Sequence, residues 1–324
     1  MPQDISIGIV IPSYNEGMDL IQTLHTIFSQ STPFAEVVIV DDSSDGTDGL
    51  VKSIFGDRVK LIHRDRPLGR CSARNLGISL SHSDILVILN ADVCLPSSFC
   101  EQIKGKYLST NCDALGVDLE ITNTDHDYTR YLYALHLSQN KADIGWTEGF
   151  SIRRSMFLKT KGFPDGYPLS ILAGEDAEFV FDLQRSGAKI CFDFDIKVTT
   201  TMPEDAKIID DQIRGRASLR TWHFVYNKSI GELIIRSILK QIRRVFYLLT
   251  IVPLVWRIYF LWRHFNHGFI DLSNYGKYEI YIDWLRTDQE WRDILMFIAL
   301  YTKKSISLIR ILTSPASQLK ALHK

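Results

Sequence analysis

The sequence predicts an α/β protein with a mostly parallel central sheet flanked by helices, followed by a helical C-terminal region. Three observations carry this. Two short apolar runs, residues 5–11 and 36–40, each stop abruptly in polar, acidic or Gly-containing turns. Between them Leu20, Leu24, Ile27 and Phe28 recur at helical spacing, so the stretch reads β-α-β. A third apolar run, residues 85–89, ends at Asn90-Ala91-Asp92.

Taken in order, the first strand stops at Ile11-Pro12-Ser13-Tyr14-Asn15-Glu16 and the second at Val40-Asp41-Asp42-Ser43-Ser44-Asp45-Gly46-Thr47. Ligands of open parallel sheets bind at the carboxyl ends of the strands, so polar groups concentrated there are candidate binding groups. An ionised Asp at such an end only accepts hydrogen bonds, which suits the N–H groups of a base or the hydroxyls of a ribose. Equally, Asp41 and Asp42 suit capping of the turn and the next helix. At the third strand end a hard oxygen ligand suits Mg²⁺ or Mn²⁺ held against a diphosphate. Gly69-Arg70 and Ala73-Arg74-Asn75 supply cations upstream of it, and Gly174-Glu175-Asp176 opens a helix that runs to Arg185-Ser186-Gly187.

With 324 residues, 45% hydrophobic and 23% charged, the chain has globular composition and ample length for a core. Its five cysteines are odd in number and contain no CxxC pair, so neither structural zinc nor a disulfide framework is expected. The N-terminus reads as a first strand, not as a secretory leader, and the expected setting is reducing and cytoplasmic. His63, His82, His126 and His136 show no metal-binding spacing, and no GxSxG or GxxxxGK[ST] motif occurs. The net charge of −1 conceals an asymmetry. Residues 1–228 carry 23 Lys and Arg against 31 Asp and Glu, whereas residues 229–324 carry 14 against 7. A basic C-terminal region points to an anionic surface, and no nucleic-acid-binding motif accompanies it.

Five segments in this order, IPSYNE at 11–16, VDDSSDGT at 40–47, GRCSARNLGI at 69–78, SDILVILNADVCLP at 83–96, and KGFPDGY with GEDAEFVFDLQRSG between 161 and 187, resemble the family 2 glycosyltransferases of GT-A fold. The resemblance covers roughly residues 5–200. It implies an enzyme that takes a sugar from a UDP- or GDP-linked donor and inverts the anomeric centre. It places Pro12, Tyr14, Glu16, Val40 and Asp42 around the nucleotide, with Asp42 on the base and Glu16 facing ribose or base. Asn90, Ala91 and Asp92 stand where the family has D-x-D, with Asp92 as the Mg²⁺ or Mn²⁺ ligand. Asn90 departs from that pattern, because an amide is a weaker ligand than a carboxylate, and ribose contact is its other expected role. Asp176 stands at the position of the general base, with Glu175 beside it to position the acceptor. The plainer reading is that both acids favour a helix N-terminus. Arg74 and the pair Arg214 and Arg216 are candidates for diphosphate neutralisation, and Arg74 equally suits a structural ion pair.

The expected domains are a catalytic unit over residues 1–228 and a basic, amphipathic helical region over 229–324. Residues 122–127 read as a surface excursion and 201–228 as a basic loop. Beyond them, 234–240, 245–262, 294–301 and 306–312 read as apolar helices, with Pro253 breaking the second. None supplies the roughly 20 apolar residues that span a bilayer. Interfacial helices on an anionic membrane fit the interleaved arginines, Trp256 and Trp262, and ordinary core helices are the alternative. The acceptor expected on this reading is a glycan or a polyprenol-linked glycan. A non-catalytic glycosyltransferase-like subunit and a sugar nucleotidyltransferase are the rival functions. The second would need a basic Gly-rich loop where PSYNEG stands.

Overall fold

The structure is a computed structural model and describes residues 5–125, 129, 130, 133, 147–165, 174–249, 272–303 and 307–314. It divides into two compact units. The first comprises residues 1–124, 139–170 and 175–202, and the second residues 125–138, 171–174 and 203–324.

The first unit is built on one eight-stranded sheet. Its strands are β1 (Ile7–Ser13), β2 (Glu36–Asp41), β3 (Lys60–His63), β4 (Ile85–Ile88), β5 (Val93–Cys94), β6 (Ala114–Ile121), β7 (Phe150–Arg153) and β8 (Ile190–Thr200). Their spatial order is β3-β2-β1-β4-β7-β6-β8-β5. The pairings β3-β2, β2-β1, β1-β4 and β6-β8 are parallel, and those of β7 with β4, β7 with β6 and β5 with β8 are antiparallel. Helices α1 (Met18–Phe28), α2 (Thr47–Phe55), α3 (Arg70–Leu80), α4 (Phe99–Ser109), the single turn α5 (Arg154–Phe157) and α6 (Glu175–Arg185) connect and cover it.

Strand alternation explains both cores. Successive side chains point to opposite faces, so a run such as Ile9-Val10-Ile11 is apolar throughout only if both faces are covered. Ile9, Ile11, Val37, Ile39 and Val87 pack with Leu20, Leu24 and Ile27 of α1, Val51 and Phe55 of α2, and Phe99 and Ile103 of α4. Val10, Val38, Leu86 and Ile88 pack with Ile78 of α3, Ile152 of β7, and Phe179 and Leu183 of α6. Each such side chain buried is worth about 1.5–3 kcal/mol over exposure. At Gly77 a Cβ would lie 2.5 Å from Val10 Cγ1, so glycine lets α3 lie directly on β1. That close approach brings Arg70 and Arg74 of α3 to the strand ends.

Cys112 and Cys191 are joined in a disulfide with Cα atoms 5.9 Å apart, a correction to the expectation of unpaired thiols. They lie 79 residues apart, and only the parallel pairing of β6 with β8, with Leu115 opposite Cys191, brings them together.

The second unit contains α7 (Ala206–Asn227), α8 (Ile230–Leu249), α9 (Leu272–Thr302) and α10 (Leu308–Thr313). Residues 206–227 are therefore helix, not the loop the basic composition suggested. Asp205 caps this helix by accepting from the backbone N–H of Lys207 and Ile208, and Ile209, Ile213, Ala217 and Val225 are buried along it. Trp222 meets Phe297 of α9 at 5.7 Å between ring centroids. Pro253, Trp256, Trp262 and the remainder of the expected 245–262 helix beyond Leu249 lie outside the described residues. No described helix is long and apolar enough to cross a membrane.

Candidate active site

The carboxyl ends of β2, β1 and β4 lie side by side, so the three polar segments singled out in the sequence arrive at one edge of the sheet. Antiparallel β7 begins there too, because Phe150 pairs with Ile88 and Gly149 N–H donates to Ile88 O at 3.1 Å.

At the end of β2 the two aspartates differ. Asp41 is fully buried and accepts from Ser13 Oγ at 2.7 Å and Ser43 Oγ at 2.5 Å, with His63 Nδ1 at 2.8 Å. This fixes β1, β2 and β3 to one another. The hydrogen bond to Asp41 raises the His63 pKa above its ordinary value. Asp42 accepts from Arg64 through Nε at 2.5 Å and Nη2 at 2.6 Å, and from the N–H groups of Leu68 and Gly69. Arg64 is a partner the sequence reading missed, since nothing in its spacing marks it. The first and second strand ends are tied together by Asn15, whose N–H donates to Ser43 Oγ and whose Oδ1 accepts from Ser44 N–H. Tyr14 is exposed, Glu16 and Pro12 are half-buried, Val40 is buried in β2, and Ala91 is buried in the turn between β4 and β5.

Acids gather between the first and third strand ends. Burial pushes the Glu16 pKa up to about 7, and the Asp92 and Asp19 carboxylates add to the effect. Asp92 is likewise raised, first by burial and then by Asp19, with Arg70 working the other way. Carboxylates that raise one another's pKa are short of positive charge, and this is the donor set that suits a hard divalent cation. Asp41, Asp48 and His63 also place one ligand atom each within 4.8 Å of one another, a proximity that sequence spacing did not show for His63. There Asp41 already accepts from two serines and pairs with His63, and Asp48 lies 3.5 Å from Lys52, so the Glu16–Asp92 group has more unmet charge.

Arg74 takes the ion-pair alternative. It is 1% exposed, donates through Nη1 to Glu175 Oε1 at 2.7 Å and through Nη2 to Asn90 Oδ1 at 2.6 Å. Glu175 thus anchors α6 through Oε1, while its Oε2 is buried with no hydrogen-bond partner among the described residues. Burial would raise its pKa, but Arg74 and Arg70 outweigh burial and hold it below the ordinary value. Arg70 lies 3.4 Å from Glu175, keeps a 42% exposed side chain, and is the cation whose charge reaches both Glu16 and Asp92. Asn90 is spoken for on both sides: Oδ1 accepts from Arg74, and Nδ2 donates to Glu148 Oε1 at 2.9 Å. These two bonds fix the orientation of its amide. Asp176 is half-buried in the first turn of α6, and its charge acts on both Arg70 and Glu148. Arg214 and Arg216 belong to the second unit, where Arg214 pairs with Asp288 at 2.5 Å and Arg216 is exposed.

Residues 8–166 match the sequence profile of Glycosyl transferase family 2. The chain carries a family 2 glycosyltransferase domain. Glycosyltransferase AglE of Haloferax volcanii is 23% identical over 67% of this chain and 74% of its own length. The amylovoran biosynthesis glycosyltransferase AmsB of Erwinia amylovora is 35% identical, over 28% of this chain and 32% of its own. Most of this glycosyltransferase's fold recurs in solved GT-A structures. S. aureus TarS in complex with UDP-GlcNAc superimposes with a TM-score of 0.51 at 16% identity, covering 66% of each chain. The mannosyltransferase PcManGT of Pyrobaculum calidifontis, in complex with GDP-Man and Mn²⁺, does so with a TM-score of 0.51 at 20% identity, covering 72% of this chain and 66% of that one. The glycosyltransferase thus spans just under two thirds of those structures and about a third of AmsB.

Proposed function

We propose that this glycosyltransferase moves a sugar from a UDP- or GDP-linked donor to a hydroxyl of a glycan or polyprenol-linked acceptor, with inversion, at the inner face of the cell membrane. The observation that supports the reading is that Arg70 stands close enough to Glu16, Asp92 and Asp176 for their charges to act on one another, at the sheet edge where the β2 end carries Asp42.

In this reading Asp42, buried and held by Arg64 and the N–H groups of Leu68 and Gly69, stands on the base side of the nucleotide, and Glu16 faces ribose or base. Asp92, with the Glu16 and Asp19 carboxylates near it, would hold Mg²⁺ or Mn²⁺; when bound, that cation would supply positive charge to the diphosphate. Arg70 adds a second positive charge on the same side. Asp176 takes the proton from the acceptor hydroxyl as its oxygen attacks C1. The C1–oxygen bond to the diphosphate breaks, and its electron pair leaves with the diphosphate. Attack opposite the leaving group inverts the anomer.

The membrane reading is supported by α8, on which Ile235, Ile238, Leu239 and Ile242 are 61%, 46%, 59% and 60% exposed at helical spacing, beside Arg236 and Lys240. The Cys112–Cys191 disulfide is at odds with a reducing compartment.

Asp176→Asn tests the assignment of the base. It should lower turnover by about 10²–10⁴-fold, the usual loss of acid–base assistance, while leaving nucleoside diphosphate affinity within a factor of two. Normal turnover in this variant would place the base elsewhere.

A further inference from the structure

Glu148 lies outside every motif read in the sequence, in a stretch without a legible pattern. Its position follows from topology. Strand β7 runs antiparallel to β4 and starts where β4 ends, so the residue before Gly149 is delivered beside Asn90 and Asp92. Gly149 itself has φ of 78°, which a side chain rarely adopts, and a Cβ there would lie 3.0 Å from both Val117 Cγ2 and Val198 Cγ1. The turn that presents Glu148 is therefore tightly set.

The carboxyl group is only half satisfied. Oε1 accepts from Asn90 Nδ2 at 2.9 Å, whereas Oε2 is buried with no hydrogen-bond partner among the described residues. Burial pushes its pKa up to about 7, with the Asp176 and Asp92 carboxylates contributing. A buried acceptor without a donor is costly, and its retention between two further acids calls for a ligand that donates. Asn90 explains how the group is held. Because Arg74 donates to Asn90 Oδ1, the amide must turn its Nδ2 toward Glu148. An Asp at position 90 would still accept from Arg74 but would set a second carboxylate against Glu148. The N-A-D sequence thus gives up an acid at 90, and the chain carries one at 148.

Asp92 marks the diphosphate side of the proposed site and Asp176 the acceptor side. What lies between a departing diphosphate and an attacking hydroxyl is the sugar in transfer, whose hydroxyls are hydrogen-bond donors. We propose that Glu148 is a specificity-determining residue whose Oε2 accepts a hydrogen bond from a ring hydroxyl of the transferred sugar, with Asn90 as its positioning residue. The inference rests on the nucleotide-sugar reading above.

Calorimetric titration of the full chain with UDP, GDP, UDP-GlcNAc and GDP-mannose in Mn²⁺ tests it. In Glu148→Gln, Asn90 must take the amide oxygen and the amide N–H₂ turns outward, so the charged acceptor is lost without loss of shape. The nucleoside diphosphate should bind within twofold of the unmodified protein, while its sugar conjugate weakens about tenfold, or about 1.4 kcal/mol. Asn90→Asp should weaken the conjugate similarly. In Asn90→Asp with Glu148→Gln, the Gln amide donates to Asp and its oxygen faces the sugar, so the double variant should bind the conjugate more tightly than either single one. Equal weakening of diphosphate and conjugate, no weakening of either, or simple additivity of the two substitutions overturns the proposal. Failure of the unmodified protein to bind any of the four ligands would instead count against the donor reading on which it rests.

Discussion

Asp41 and Asp42 are adjacent in sequence and do different work, one locking three strands together through serines and His63, the other holding Arg64 and the Leu68 and Gly69 N–H groups at the strand end. Their placement at a strand end was legible from the apolar run that precedes them. Which partners each takes was not, because His63 and Arg64 stand 22 residues away. The same limit explains Arg74: its alternatives of phosphate binding and ion pairing are separated only by Glu175, 101 residues on. Glu148 was missed outright, since a lone acid carries no pattern until a strand pairing places it. The raised carboxyls give a prediction with a definite sign. Glu16 and Glu148 each have a folded pKa of about 7, above the ordinary 4.5, and Asp92 and His63 are shifted in the same direction. The folded state therefore holds more protons than the unfolded one in this window, and stability falls as pH rises from about 5 to 8. Thermal melts in EDTA should show that fall, and Mn²⁺ should reduce it by neutralising Glu16 and Asp92. A flat or rising profile in EDTA would show that these carboxyls are not uncompensated.

Elements were most legible where apolar spacing was clean. The strands around 7–13, 36–41 and 85–88, and helix α1 between the first two, follow directly from it. Helix α7 was not, because Asp, Arg and Gln crowd between its buried positions at 209, 213 and 217 and its polar surface masks a four-residue period. Helix α8 was expected in part, and its apolar face remains exposed among the described residues. A face with basic flanks suits an anionic surface, each basic residue near it contributing about 1 kcal/mol in addition to the buried apolar area. The protein should therefore sediment with liposomes containing anionic lipid, less so in high salt, and Ile238→Glu with Ile242→Glu should weaken this at least tenfold. Retention in the supernatant at low salt would leave the face to another partner.

At the scale of the whole molecule, the parallel strands β1, β2 and β4 were predictable, whereas β3 and the strands beyond β4 were not. Parallel strands announce themselves as continuous apolar runs with ligand-binding groups at their ends. Strand β7 is four residues long and reverses direction, and β8 runs half-polar for eleven residues, so neither stands out from composition. Yet β7 completes the site, by bringing Glu148 to the edge that β1, β2 and β4 had already loaded. The expected boundary at residue 228 differs from the division of compact units at Met202, and α7 falls in the second unit. The central claim is that this edge transfers sugar from a nucleotide. It is tested most directly by measuring nucleoside diphosphate release from a panel of UDP- and GDP-sugars by the full chain in Mn²⁺. The account predicts release from at least one donor, reduced at least a hundredfold by Asp92→Ala and by EDTA. Absence of release from every donor, or release untouched by Asp92→Ala, would contradict it.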